Sequence, residues 1–238
     1  MSAKGLGIDN HLRYAATTMG RDKVYRLVQY FARFLGYYLA QREGYDKQTV
    51  QRLANLKSSL GLARKLMRIG KPIEHLQTLV KSFGIHDDVL RVLAVGRSAS
   101  LGVYLFFDML QWVGVYKFQD IRAISQKAAR FWMIGLALNL NAGLYRARNN
   151  TLRLAVAQRA VRAQGGASAA SDDTRNELRA ARKYFAATKR QLLQDSLDIL
   201  IPSTTLGYTG LSEGQVGLAG TITSVMGVQS QWNKVCTK

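Results

Sequence analysis

Between Arg97 and Lys117 the chain runs for 19 residues with a single charge, Asp108. The run contains Leu101, Val103, Tyr104, Leu105, Phe106, Phe107, Met109, Leu110, Trp112 and Val113. A segment this apolar has two homes, a protein core or the hydrocarbon of a bilayer, and a helix that crosses a bilayer needs about 20 such residues. A second stretch of 15 uncharged residues lies between Arg130 and Arg146 and includes Phe131, Trp132, Ile134, Leu136, Leu138 and Leu140. At about 1.5 Å per residue it is short for a span. Joined by a loop around 117–122, the two stretches predict an apolar helical hairpin within 98–148. Asp108 is a functional or pairing carboxylate if that hairpin is in lipid. It can equally mark a partly interfacial helix, or face Arg130 across the hairpin.

The rest of the chain is basic, with 34 Lys and Arg against 15 Asp and Glu and a net charge of +19. Residues 1–97 hold 17 of those bases and 7 of the acids, so the N-terminal part is the main electrostatic surface. Such an excess asks for an anionic partner, either nucleic acid or the phosphate face of a membrane. The bases are spread over several helices, with no zinc-finger spacing, no basic-region zipper and no aromatic strand platform. Nucleic acid is therefore set aside in favour of an anionic phospholipid membrane. Cys236 is the only cysteine, so no internal disulfide forms and nothing points to an oxidising compartment. The first 20 residues lack an apolar run of signal-peptide length, and Cys-Thr-Lys at the end is neither a prenylation nor a retention signal, so a membrane address would be internal.

With only Pro72 and Pro202, long helices can run with few forced breaks. Val24, Leu27, Val28, Phe31, Leu35 and Tyr38 follow a helical rhythm over 21–43, with Arg21, Arg26 and Arg33 off the stripe. A second helix is predicted over 47–69, stopped by Gly70-Lys71-Pro72, and a short third over 73–83. The small residues of 163–173 read as a flexible linker between basic helices at 151–162 and 174–200. No strand alternation appears. The class is all-α: a membrane-associated helical bundle with an amphipathic interfacial helix, an apolar hairpin and a glycine-rich C-terminal membrane helix. Its regions are 1–97, 98–148, 149–198 and 199–238.

The sharpest pattern lies in 53–69. At about 100° per residue, Lys57, Arg64, Lys65 and Arg68 fall within one narrow arc, while Leu56, Leu60, Leu62, Ala63, Leu66, Met67 and Ile69 fill most of the remainder. A helix with a broad apolar face and a narrow cationic one can lie in a lipid interface, bases on phosphates and apolar residues between acyl chains. Each base near an anionic surface contributes about 1 kcal/mol. Seated in one leaflet, such a helix is a wedge that favours curvature. The alternative is a core helix of a water-soluble bundle with a solvated basic edge.

From Ile199 to Asn233 the only charge is Glu213, and Gly207, Gly210, Gly214, Gly217 and Gly220 recur every three or four residues. On a helix they form one smooth face for close packing or oligomerisation, with Gly210 and Gly214 as a GxxxG pair. The other reading is a glycine-rich loop, because glycine costs about 1 kcal/mol per helical position against alanine.

Chemistry is poorly supported. His86-Asp87-Asp88 points three ways on a helix, so in place of a metal site His86 is read as ending or capping a helix, with the aspartates solvated. Gly70-Lys71 lacks a preceding phosphate loop. There is no Gly-x-Ser-x-Gly and no Cys/His nucleophile spacing. The expectation is a protein without catalytic residues, metal or cofactor.

Two motifs carry a resemblance. Gly20-Arg21-Asp22-Lys23 followed by Leu27-Val28-Gln29-Tyr30-Phe31, and Leu62-Ala63-Arg64-Lys65-Leu66-Met67-Arg68-Ile69-Gly70-Lys71-Pro72, resemble the opening helix and the amphipathic segment of the peroxin-11 family of peroxisomal membrane proteins. The uncharged glycine-rich C-terminus is similar too, and the likeness spans nearly the whole chain in order. The resemblance implies a location in the peroxisomal membrane and a role in elongating, tubulating and dividing peroxisomes. It implies insertion from the cytosolic side, self-association as a homo-oligomer, and work with a dynamin-related GTPase and its membrane adaptor. On this sequence the lipid-inserting role falls on Leu56, Leu60, Leu66, Met67 and Ile69, and the phosphate-binding role on Lys57, Arg64, Lys65 and Arg68. A pore or metabolite conduit built from 98–145 and the C-terminal helices is the alternative the resemblance also allows.

Overall fold

The computed structural model describes residues 8–114, 120–166 and 168–236, and every regular element among them is a helix. The order is α1 (Ile8–Ala16), α2 (Thr18–Ala40), α3 (Lys47–Met67), α4 (Lys71–Ser82), α5 (Asp88–Val113), α6 (Ile121–Ala163), α7 (Asp172–Asp198), α8 (Leu200–Thr205) and α9 (Glu213–Cys236). Side-chain caps mark several starts. Thr17 accepts from the Gly20 amide, Asp46 from Gln48 and Thr49, and Asp120 from Arg122 and Ala123. Gly70, at φ 88°, makes the break that Pro72 then turns into a new helix start.

The helix cap falls on Asp87 and not on His86, and Asp87 is engaged by protein groups, not merely solvated. Asp87 accepts from the Leu90 amide at 2.9 Å and from the Tyr145 hydroxyl at 3.0 Å, tying the start of α5 to α6. The Leu90 amide, together with Tyr145, holds its carboxyl below the ordinary carboxylate range. A depressed carboxylate stabilises the fold above its unfolded pKa of about 3.9 and loses that effect as pH falls through the lower folded value. Asp87→Ala should therefore lower the thermal midpoint at pH 7, and the difference should shrink progressively as pH falls below about 3.9, in paired melts of the purified full chain.

The helices pack as neighbours: α2 on α3 and α9, α4 on α5, α5 on α6, and α6 on α7. The α5–α6 pair is the hairpin the two apolar stretches predict, although the 115–119 part of its connection lies outside the described residues. α6 is longer than expected. The basic segment 151–162 is not a separate helix but the end of one continuous 43-residue rod, about 64 Å long. Nothing in 141–152 breaks it, because neither proline nor glycine with positive φ occurs there. Its first half lines α5, with Gly135 against Leu101, and its second half lines α7, with Gly143 against Leu192. The linker at 163–173 shrinks to a turn after Ala163, with Gly165 and Gly166 at φ 88° and 102°.

The C-terminal region also differs from the single glycine-faced helix. Gly207, at φ 78°, ends the short α8, and Gly210 lies in the following turn. α9 starts only at Glu213, where Ser212 and Gln215 form a reciprocal capping box: Gln215 N donates to Ser212 Oγ and Ser212 N to Gln215 Oε1. The Gly210–Gly214 pair is therefore split between a turn and a helix.

Burial runs in an unusual direction. Large apolar side chains face outward in number, while Asp22, Arg26, Arg64, Asp108, Gln111, Asn139, Asp195, Asp198, Thr223 and Ser224 are buried. A water-soluble domain buries the first kind and exposes the second. Polar groups gathered inside an apolar shell suit a bundle whose outer solvent is lipid, where charges turn inward and pair. Among the described residues α5 alone is long and apolar enough to cross a membrane by length and composition.

Candidate functional site

The site has two parts, a layer of buried arginines and the apolar shell around it. Both originate in α3. Its cationic arc and its apolar arc are real, but the helix is rotated so that the bases face the bundle and the leucines face out. Arg64 is 8% exposed, and its Nε donates to Asp22 at 2.9 Å and its Nη1 to Gln29 at 2.7 Å, both on α2. Arg68 donates to the Tyr104 hydroxyl at 2.9 Å and lies 2.8 Å from Asp108, both on α5. Lys65 reaches Gln111 at 2.8 Å. Lys57, at the outer end, reaches Glu213 on α9 at 3.0 Å, and Arg33 grips the same carboxylate through two nitrogens. Arg26 completes the layer from α2, at 2.6 Å from Asp198 and 3.1 Å from the Thr223 hydroxyl.

Three of the four bases assigned to phosphate thus find protein partners inside, and Lys57 finds one at the rim. The reason is arithmetical: α2, α5 and α9 each bring a carboxylate or amide to the arc, and a charge facing a low-dielectric interior is stable only when paired. Asp108 meets Arg68 and not Arg130.

The apolar arc of α3 points away from the bundle. Leu56, Leu62, Leu66 and Ile69 are exposed, whereas Leu60 and Met67 are half-buried. α2 adds Val24, Val28 and Phe31 to the outer surface. The strongest stripe belongs to α4. Ile73, Leu76, Val80 and Phe83 are 72%, 61%, 68% and 59% exposed, on one face of a helix that has its polar side, His75, Thr78 and Ser82, against α5. The sequence marks this helix at 73–83, but its stripe is not among the residues assigned to lipid from sequence, although the 73-76-80-83 spacing is a legible signal.

Gly214, Gly217 and Gly220 lie on the α2 side of α9, where a Cβ would run into Tyr37, the Phe34 backbone and Tyr30 respectively. Within one copy these glycines pack α9 onto α2. Gly207 and Gly210 touch nothing with the position a Cβ would take.

Two cavities flank the arginine layer and share Arg26, Arg64, Arg68, Tyr104 and Trp132 as a common wall. One, of about 210 Å³, opens beside Lys23 and Lys71; the other, of about 490 Å³, opens beside Lys57 and Lys65. Tyr104 and Trp132 stack across α5 and α6 with centroids 5.4 Å apart.

Comparison with known proteins gives this arrangement a setting. Peroxisomal membrane protein PMP30A of Candida boidinii is 30% identical over 245 residues, covering 93% of each chain. Peroxisomal membrane protein PMP27 of Saccharomyces cerevisiae is 27% identical with 94% of each chain covered, and human peroxisomal membrane protein 11B is 24% identical over 93% of this chain and 95% of its own. No solved structure matches. The profile of Peroxisomal biogenesis factor 11 (PEX11) matches from residue 8 to residue 232, so the chain belongs to that family, and its place is the peroxisomal membrane.

Proposed function

We propose that the chain elongates peroxisomes and promotes their division by seating the apolar outer faces of α3 and α4 in the cytosolic leaflet. The observation that carries this reading is the direction of burial. The exposed stripe Ile73, Leu76, Val80, Phe83 follows exposed Leu66 and Ile69 along the chain, and in a membrane protein such a face suits hydrocarbon. Insertion on one side of a bilayer widens that leaflet and bends the membrane. Lys57, exposed at the rim beside Glu213, and the other exposed bases meet lipid phosphates, while Arg64, Lys65 and Arg68 hold the wedge to the rest of the bundle. Many copies acting together make curvature. In a folded copy the α9 glycines lie against α2, which leaves Leu218, Ile222 and Val225 as the α9 face open to a second copy. The chain carries no nucleotide motif, so scission falls to a dynamin-related GTPase brought by its membrane adaptor.

Full-length protein should tubulate vesicles containing anionic phospholipid. Burying an isoleucine or leucine contributes about 1.5–3 kcal/mol, so Ile73→Glu and Leu66→Glu should each lower vesicle partition about tenfold or more and abolish tubules. Flotation and negative-stain microscopy read both effects. A conduit is the second reading, favoured by the two cavities on either side of the arginine layer. If both variants still tubulate, the wedge is wrong. If in addition the wild type passes small solutes across sealed vesicles, the conduit takes its place.

A further inference from the structure

A third cavity, of about 290 Å³ and open to one side, lies apart from the arginine layer, lined by Thr78 and Ser82 of α4, Arg97 and Ser98 of α5, Asn139 and Arg146 of α6, and Gln191 of α7. Its wall is predominantly polar, although four helices of an apolar-shelled bundle meet there. The neutral groups are largely engaged. Thr78 and Ser82 donate their hydroxyl protons to the Glu74 and Thr78 carbonyls, and Asn139 and Gln191 donate to Asp195 at 2.6 and 2.9 Å. The two arginines are not. Among the described residues Arg97 and Arg146 form neither a hydrogen bond nor an ion pair, whereas Arg26, Arg64 and Arg68 of the central layer each have a carboxylate. Arg97 is only partly exposed, on the one helix among the described residues apolar enough to span a membrane, and Arg146 is exposed at the mouth. The adjacent Ser98 is 2% exposed. Asp195 is the acid of this corner, and both its oxygens are already taken by amides.

Asp195 attracts Arg97 through space but accepts no hydrogen bond from it. A partly buried guanidinium with all its donors unused is costly, and its planar fork matches the oxygens of a phosphate. We propose that this cavity is a binding site for a phosphate group, with Arg97 as the inner grip, Arg146 as the gate-side grip and the Ser98 hydroxyl as a third donor. The phosphate belongs either to a free ion or small phosphate ester, or to a lipid headgroup. α4 connects the site to the membrane surface. Its inward face forms one wall of the cavity while its outward face carries the exposed stripe, so an occupied site would brace α4 against α5 and α6.

The test uses full-length protein in uncharged detergent, with inorganic phosphate in one arm and phosphatidic acid doped into the micelles in the other. Each arm reads the thermal midpoint and the stoichiometry of bound phosphorus. A saturable rise at about one phosphate per chain is expected in at least one arm. Phosphate alone acting identifies a free-ion site, and phosphatidic acid alone identifies a headgroup site. Arg97→Gln and Arg146→Gln should each weaken the response about tenfold or more, and the double variant should abolish it. Arg153→Gln, whose side chain pairs with Glu177 away from the cavity, should bind as the wild type does. Without ligand, Arg97→Gln should keep its helicity and melt within a few degrees of wild type, because no hydrogen bond is lost and only the through-space attraction of Asp195 goes. No saturable response in either arm, or an unchanged response in the double variant, overturns the proposal.

Discussion

Gly217→Ala should cost about 3 kcal/mol and lower the thermal midpoint of the full chain by about 6–12 °C. The added Cβ would lie 2.6 Å from the Phe34 nitrogen and 2.8 Å from its Cα. These are backbone atoms in the middle of α2, so no side-chain rotation relieves the clash and the two helices have to separate. Separation also loosens Tyr30, Ile201 and Val216, which form a buried cluster along the same contact. Helix propensity works the other way, since alanine gains about 1 kcal/mol over glycine at an unconstrained helical site. Gly36→Ala provides that contrast within α2 itself. Its Cβ would meet only Leu53 Cβ at 3.5 Å, an ordinary contact, and the variant should be neutral or slightly stabilised. Melting both variants in mild detergent decides the matter. An unchanged midpoint for Gly217→Ala would mean that α9 does not lie on α2.

Asp198→Ala should cost about 4 kcal/mol, the largest effect expected of a single side-chain truncation here. Asp198 closes α7, and its carboxylate lies 2.6 Å from Arg26. Arg26 also reaches Thr223 on α9 and sits over the Tyr30 ring at 5.3 Å, so the one guanidinium joins three helices. Removing the acid leaves a buried cation with a single neutral acceptor. Removing both charges is different, because well-packed apolar substitutes for a buried pair are often tolerated. The double variant Arg26→Met with Asp198→Leu should therefore melt above Asp198→Ala alone. If the double variant instead loses as much as the two single changes together, the pair is not coupled in the way described.

Much of the fold was legible because helices are local. The periodic stripe of α2, the stop at Gly70-Lys71-Pro72, the two apolar runs of the hairpin and the linker near Gly165-Gly166 are all written in neighbouring residues. Boundaries failed where the deciding signal was weak or shared. The run from 121 to 163 stayed one helix because nothing broke it, and the C-terminal glycines were divided between a turn and a helix by the Ser212–Gln215 capping box. At the candidate site, the two arcs of α3 could be drawn from sequence alone.

Which way those arcs face could not. A helical wheel fixes angles within one helix and says nothing of its rotation relative to its neighbours. That rotation depends on Asp22, Gln29, Asp108 and Gln111, which lie on other helices, 35 to 46 residues distant from the bases they receive. The sequence by itself determined that this chain is helical, basic and divided into cationic and apolar surfaces. Only the tertiary structure decided that the cations point inward to carboxylates and the apolar surfaces outward, because a charge leaving water goes where its counter-charge is, and the leucines take the side that remains.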